Sequence, residues 1–174
     1  MNKALKRLDS THQKLLDAVT PLSAQVFSRR PGENEWSVAE IVHHLRLVEE
    51  RVILEMEKEL SKPPRKLGIL RRLIPTSITA SRLIRVKAPK AVTPLEPPPK
   101  DENIAAFNTT RTKLKELCAN HGQERLRQMV FNHPFLGQID GTATVSFVGY
   151  HELRHYKQVR EVLKKLGNSA EGAP

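Results

Sequence analysis

The sequence predicts an all-α fold, a four-helix bundle with a long basic connection between its second and third helices. Three observations lead there. Four segments carry apolar residues at helical spacing. No segment shows a convincing strand alternation. A proline-rich, acid-free stretch divides the two halves of the chain.

The first helix spans about residues 3–19, with Leu5, Leu8, Leu15, Leu16 and Val19 on its apolar side. Pro21 lies near its end. Arg29 to Asn34, with Pro31 and Gly32, has turn chemistry. Ser37 followed three residues later by Glu40 forms a capping box that opens the second helix, which runs to about Leu60, before Pro63 and Pro64. The third helix spans about Asp101 to Asn120, with Asp101 as its cap and Ile104, Phe107, Leu114 and Leu117 as its stripe. A polar linker holds Asn132, His133, Pro134 and the glycines at 137 and 141. The fourth helix runs from about Thr144 to Leu166, with Gly167 as its stop. Residues 1–167 thus form one bundle domain, and 168–174 a flexible tail.

A chain of 174 residues with 39% hydrophobic and 28% charged content suits one globular domain. No run approaches the roughly 20 apolar residues of a membrane span. The N-terminal segment reads as an amphipathic helix and not as a secretion signal. Cys118 is the single cysteine, so no internal disulfide is expected, in keeping with a cytoplasmic location.

The net charge of +10 is concentrated in one segment. Residues 61–95 contain no Asp or Glu but nine of the 29 Lys and Arg residues, leaving 20 basic against 19 acidic residues elsewhere. Short helices are expected within it around Leu67–Ile74 and Ile78–Val86, followed by an extended connection through Pro97, Pro98 and Pro99. It has no Phe, Tyr or Trp for base stacking, and no base-reading motif accompanies it. Nucleic-acid or anionic-surface binding is therefore the lesser reading. Arg82, Arg85 and Lys87 are instead candidates for attracting a small anionic substrate.

Three histidines lie where a bundle core calls for Leu or Val. Ile41, Leu45, Val48 and Val52 share one face of the second helix, and His44 lies at its edge, about 60° from Ile41. His43 turns away from that face, towards solvent or another helix. In the fourth helix, His155 lies about 20° from the centre of the stripe Val148, Val159, Val162 and Leu166, and His151 about 60° from it. Four residues apart, His151 and His155 project from one face on successive turns and can chelate one ion. With a third imidazole from a facing helix, they make a nitrogen set suited to Zn²⁺, Ni²⁺ or Fe²⁺ with an open coordination position. His133, entering the fourth helix, is a candidate for the mouth of the site.

Residues 151–155 also match H-E-x-x-H, which makes Glu152 a candidate general base of a metal-dependent hydrolase. Against a protease, residue 158 is Gln, no third histidine follows, and no sheet is expected to hold an extended peptide.

The run from Trp36 to Leu45 resembles the W-S-x-x-E-x-x-x-H-L segment of the DinB/YfiT-like superfamily. The run from Phe147 to Gln158 is similar to that group's final-helix H-x-x-x-H-x-x-Q signature. Residues 85–90 and the His133-Pro134-x-x-Gly137 turn are similar to segments of it as well. The resemblance extends from about residue 5 to 166. It implies a four-helix bundle with a divalent metal held by His44, His151 and His155. It also implies an enzyme acting on small molecules, such as a thiol S-transferase using a low-molecular-weight thiol as cosubstrate. The alternatives are a hydrolase using Glu152, or a metal-stabilised binding module without turnover. Bundles of this type can form homodimers through their helix faces.

Overall fold

The computed structural model describes residues 1–68, 75–81 and 92–171, with side chains described as far as Gly167. Five α-helices make up most of it: α1 (Asn2–Val19), α2 (Ala24–Ser28), α3 (Val38–Leu60), α4 (Lys100–Arg127) and α5 (Gly141–Glu171). The four long ones form the bundle, with α1 packed along α5 and α3 along α4.

The signals that place these helices are local. Ser37 Oγ accepts from the Glu40 N–H at 3.2 Å, while the Glu40 carboxylate accepts from the Ser37 N–H at 2.8 Å. Both orphan donors at the start of α3 are thereby satisfied, and Arg30 closes on the same carboxylate. The short α2 follows a cap of the same kind, Ser23 Oγ accepting from the Val26 N–H.

Three boundaries differ from expectation. Asp101 does not cap α4: the helix begins at Lys100, and Asp101 and Glu102 lie in its first turn, where negative charge favours the N-terminal dipole. This helix also continues past Asn120 to Arg127, with a break at Gly122, whose φ of 70° leaves the helical region. Gly167 does not stop α5, whose backbone remains helical to Glu171. The loss of a side chain at one position costs about 1 kcal/mol, too little to end a helix already packed on its neighbours.

The linker expected to be irregular contains a hairpin. Strands β1 (Phe131–His133) and β2 (Gly137–Ile139) pair antiparallel, His133 opposite Gly137. Gly137 has φ of 66°, a conformation that a side chain would strain. In the long connection, Thr76–Ala80 forms a 3-10 turn packed on α5. Residues 69–74 of the expected helix over 67–74, and 82–86 of the one over 78–86, lie outside the described residues. No helix among the described residues is long and apolar enough to cross a membrane.

The core has two apolar clusters. One includes Leu8, Val52, Leu114 and Val148. The other includes Leu15, Leu45, Phe107 and Val159. Each long helix also contributes a buried polar residue to one network: Thr11, Glu49, Arg111 and Glu152. These four form a hydrogen-bonded layer across the bundle. Cys118 lies buried in α4, and burial pushes its thiol up to about 11, away from nucleophilic chemistry.

Candidate metal centre

Helix α3 brings His44, and α5 brings His151 and His155, to a common point. One nitrogen from each ring lies within 4.8 Å of the others. The Nε2 atoms of His151 and His155 are 3.2 Å apart. The rings of His44 and His155 meet edge-on with centroids 4.9 Å apart, and those of His44 and His151 are 5.4 Å apart. The spacing follows from four residues per approximate turn on α5 and from the packing of α3 against it.

Two of these rings are oriented from behind. His44 Nδ1 lies 2.7 Å from the carbonyl oxygen of Val92. A carbonyl only accepts, so Nδ1 carries the proton and the neutral ring leaves Nε2 bare. His155 Nδ1 lies 2.9 Å from Gln158 Oε1, which fixes the same tautomer. Val92 lies within the long connection between α3 and α4, so the irregular part of the chain contributes backbone to the site. Such carbonyl partners behind imidazoles set ring orientation and raise ligand basicity.

The electrostatics favour the neutral imidazole. Burial lowers the pKa of His44, with the Val92 hydrogen bond pulling the other way. Burial also holds His151 and His155 well below the ordinary histidine value, and the neighbouring histidines and Arg154 add to this. Neutral rings keep the lone pairs that a metal ion requires.

Aromatic rings enclose the cluster. Trp36 lies against His44 at 5.0 Å and stacks near-parallel on His155 at 6.4 Å. Phe147 lies 5.5 Å from His151, and His133 stands edge-on to Phe147 at 4.3 Å. His133 is therefore one ring removed from His151. His43 is also buried but points elsewhere: its Nε2 is 3.5 Å from Arg46 and it is no part of the group.

The structure turns Glu152 away from the role of general base. It is 1% exposed, and its carboxylate accepts from Thr11 Oγ1 at 2.6 Å and from Arg111 Nη1 at 3.3 Å, with His12 Nδ1 at 3.2 Å. Adjacent to His151 in sequence, it points about 100° around the helix, into the polar layer with α1 and α4. Arg82, Arg85 and Lys87 lie outside the described residues. The residues that sequence reasoning left without a role are Val92, whose backbone gives no signal, and Gln158, whose i+3 spacing from His155 was the available clue.

A bundle in which three imidazoles, two buried and one half-buried, converge between two helices defines a class, helical bundles with a histidine triad that could hold a metal ion. The family model of the DinB superfamily matches residues 7–159, and the chain belongs to that superfamily. The uncharacterized protein YuaE of Bacillus subtilis (strain 168) is 23% identical over 146 residues, 83% of this chain and 88% of that protein. YfiT from Bacillus subtilis, described as a probable metal-dependent hydrolase with an unusual four-helix bundle topology, superposes with a TM-score of 0.69 at 16% identity, covering 95% of this chain and 87% of YfiT. TT2238, a four-helix bundle protein, superposes with a TM-score of 0.62 at 20% identity, covering 92% and 98% of the two chains. At these identities the two structures establish the shared fold.

Proposed function

We propose that this protein binds one divalent metal ion through His44, His151 and His155 and uses it to act on small molecules. The observation that carries the reading is the pair of hydrogen bonds behind the rings. Val92 and Gln158 hold the Nδ1 protons of His44 and His155, so that both bare Nε2 atoms face the same point. The donor set suits Zn²⁺, Ni²⁺ or Fe²⁺. The ion would supply Lewis acidity, lowering the pKa of a water or a low-molecular-weight thiol at its open position. The chain's own residues hold the rings neutral by burial, orient them, and wall the site with Trp36 and Phe147.

The description of YfiT favours water as nucleophile, whereas the thiol-dependent transferases that the superfamily includes favour a thiol. With Glu152 bound by Thr11 and Arg111, a hydrolytic reaction here takes its base from elsewhere. Purified protein reconstituted with Zn²⁺, Ni²⁺ or Fe²⁺ and desalted is expected to retain one equivalent by elemental analysis. The loaded protein is then screened against ester and amide substrates, and against electrophiles with a thiol present. Retention unchanged in His44→Ala and in His155→Ala overturns the assignment of ligands.

A further inference from the structure

His133 stands in an unusual setting for a histidine in a hairpin turn. It is 7% exposed. The backbone N–H groups of Phe135 and Leu136 both donate to its Nδ1, at 3.1 and 3.0 Å. Two donors on one ring nitrogen leave that nitrogen no proton of its own, so the neutral ring carries its proton on Nε2. Burial favours that neutral form, holding the pKa down to about 4. Among the described residues no acceptor meets the Nε2–H. The ring packs edge-on against Phe147, which in turn borders His151. The hairpin pins the ring in place through the pairing of His133 with Gly137.

With no protein acceptor among the described residues, this N–H of fixed tautomer is left to donate to water or to a bound molecule. We propose that His133 is a specificity-determining residue whose Nε2–H donates a hydrogen bond to an anionic oxygen, nitrogen or sulfur of the small molecule taken up beside His44, His151 and His155. Beside a divalent ion, the ligand class that this donor fits is a small anion: a carboxylate, a thiolate or a group of similar charge. The proposal rests on the metal reading above and adds to it a named donor.

The substitution His133→Asn separates the two faces of the ring. Asn Oδ1 is as many bonds from the backbone as Nδ1, so it still accepts from residues 135 and 136, but it has no group that reaches as far as Nε2. The probe is azide, titrated into Co²⁺-loaded full-length protein and followed by the visible Co²⁺ spectrum. Wild type is expected to bind azide, and His133→Asn and His133→Phe to bind it about 10- to 100-fold more weakly with Co²⁺ uptake unchanged, the range for a hydrogen bond to a charged acceptor. Nitrogen NMR of the metal-free wild type is expected to place the His133 proton on Nε2. Co²⁺ uptake with no azide binding in wild type, azide affinity unchanged in His133→Asn, or a proton found on Nδ1 each overturns this proposal. Failure of the wild type to take up Co²⁺ overturns instead the metal reading beneath it.

Discussion

Arg111 grips Glu49 with two hydrogen bonds, from Nε at 2.7 Å and from Nη2 at 2.9 Å. The same guanidinium reaches Glu152 and the carbonyl of Leu8, so one side chain of α4 ties together α1, α3 and α5. All three ionic groups are almost fully buried. Removing the cation strands two carboxylates in the core, and that is costlier than the pair is stabilising. Arg111→Met is expected to destabilise the fold by about 3–5 kcal/mol in urea unfolding. Adding Glu49→Gln and Glu152→Gln should recover part of that loss. A triple variant no more stable than Arg111→Met contradicts this account.

The same layer explains what sequence reading reached and what it missed. The stripes on the first and third helices jump from Leu8 to Leu15 and from Phe107 to Leu114, and the interrupted turns hold Thr11 and Arg111. A gap in a stripe says only that something other than an apolar residue is there. Its partners belong to other helices, far away in sequence. The capping box of Ser37 and Glu40 was legible because both its bonds close within three residues. His44 was favoured over His43 by its distance from one apolar face, and it is the one that joins His151 and His155. Glu152 needed the positions of α1 and α4 before its direction meant anything. The hairpin is not legible in the sequence because each strand has only three residues, and Pro134 and Gly137 read equally well as a plain turn.

Metal binding should raise thermal stability, because the triad converges only in the folded chain. At free ion about 1,000-fold above the dissociation constant the gain is about 4 kcal/mol, which corresponds to roughly 10 °C for a domain of this size. Differential scanning fluorimetry with Zn²⁺ and then with excess chelator measures it. Trp36, the single tryptophan, lies beside His44 and His155, so Ni²⁺ or Co²⁺ should also quench its fluorescence. A melting temperature indifferent to both metal and chelator opposes the reading.

Gln158 meets the site through a hydrogen bond with His155. Gln158→Leu keeps a side chain of similar bulk but leaves the Nδ1–H of His155 without its acceptor. The expected result is metal affinity weakened by about 10- to 100-fold, the usual effect of removing a partner behind a ligand. Competition against a chromophoric chelator reads this directly. Gln158→Glu should restore binding, since a carboxylate also accepts from Nδ1. Failure of that rescue, with the variant folded, assigns Gln158 a packing role only.

His133 should leave a mark on acid stability in the metal-free protein. Its pKa is about 4 in the folded chain against an ordinary value of 6.5. Between those values the unfolded chain takes up a proton that the folded chain refuses, so stability from this group is complete above about pH 6.5 and falls as the pH drops towards 4. The loss across that window is about 3 kcal/mol, since a tenfold change in proton affinity is worth about 1.4 kcal/mol. His133→Asn keeps the acceptor for the two backbone N–H groups and removes the titration. Its urea midpoint should therefore fall less steeply than that of wild type between pH 6.5 and 4, whereas the two should run parallel above about pH 7. Identical slopes below pH 6.5 mean that the ring takes its proton as readily in the folded chain as in the unfolded one.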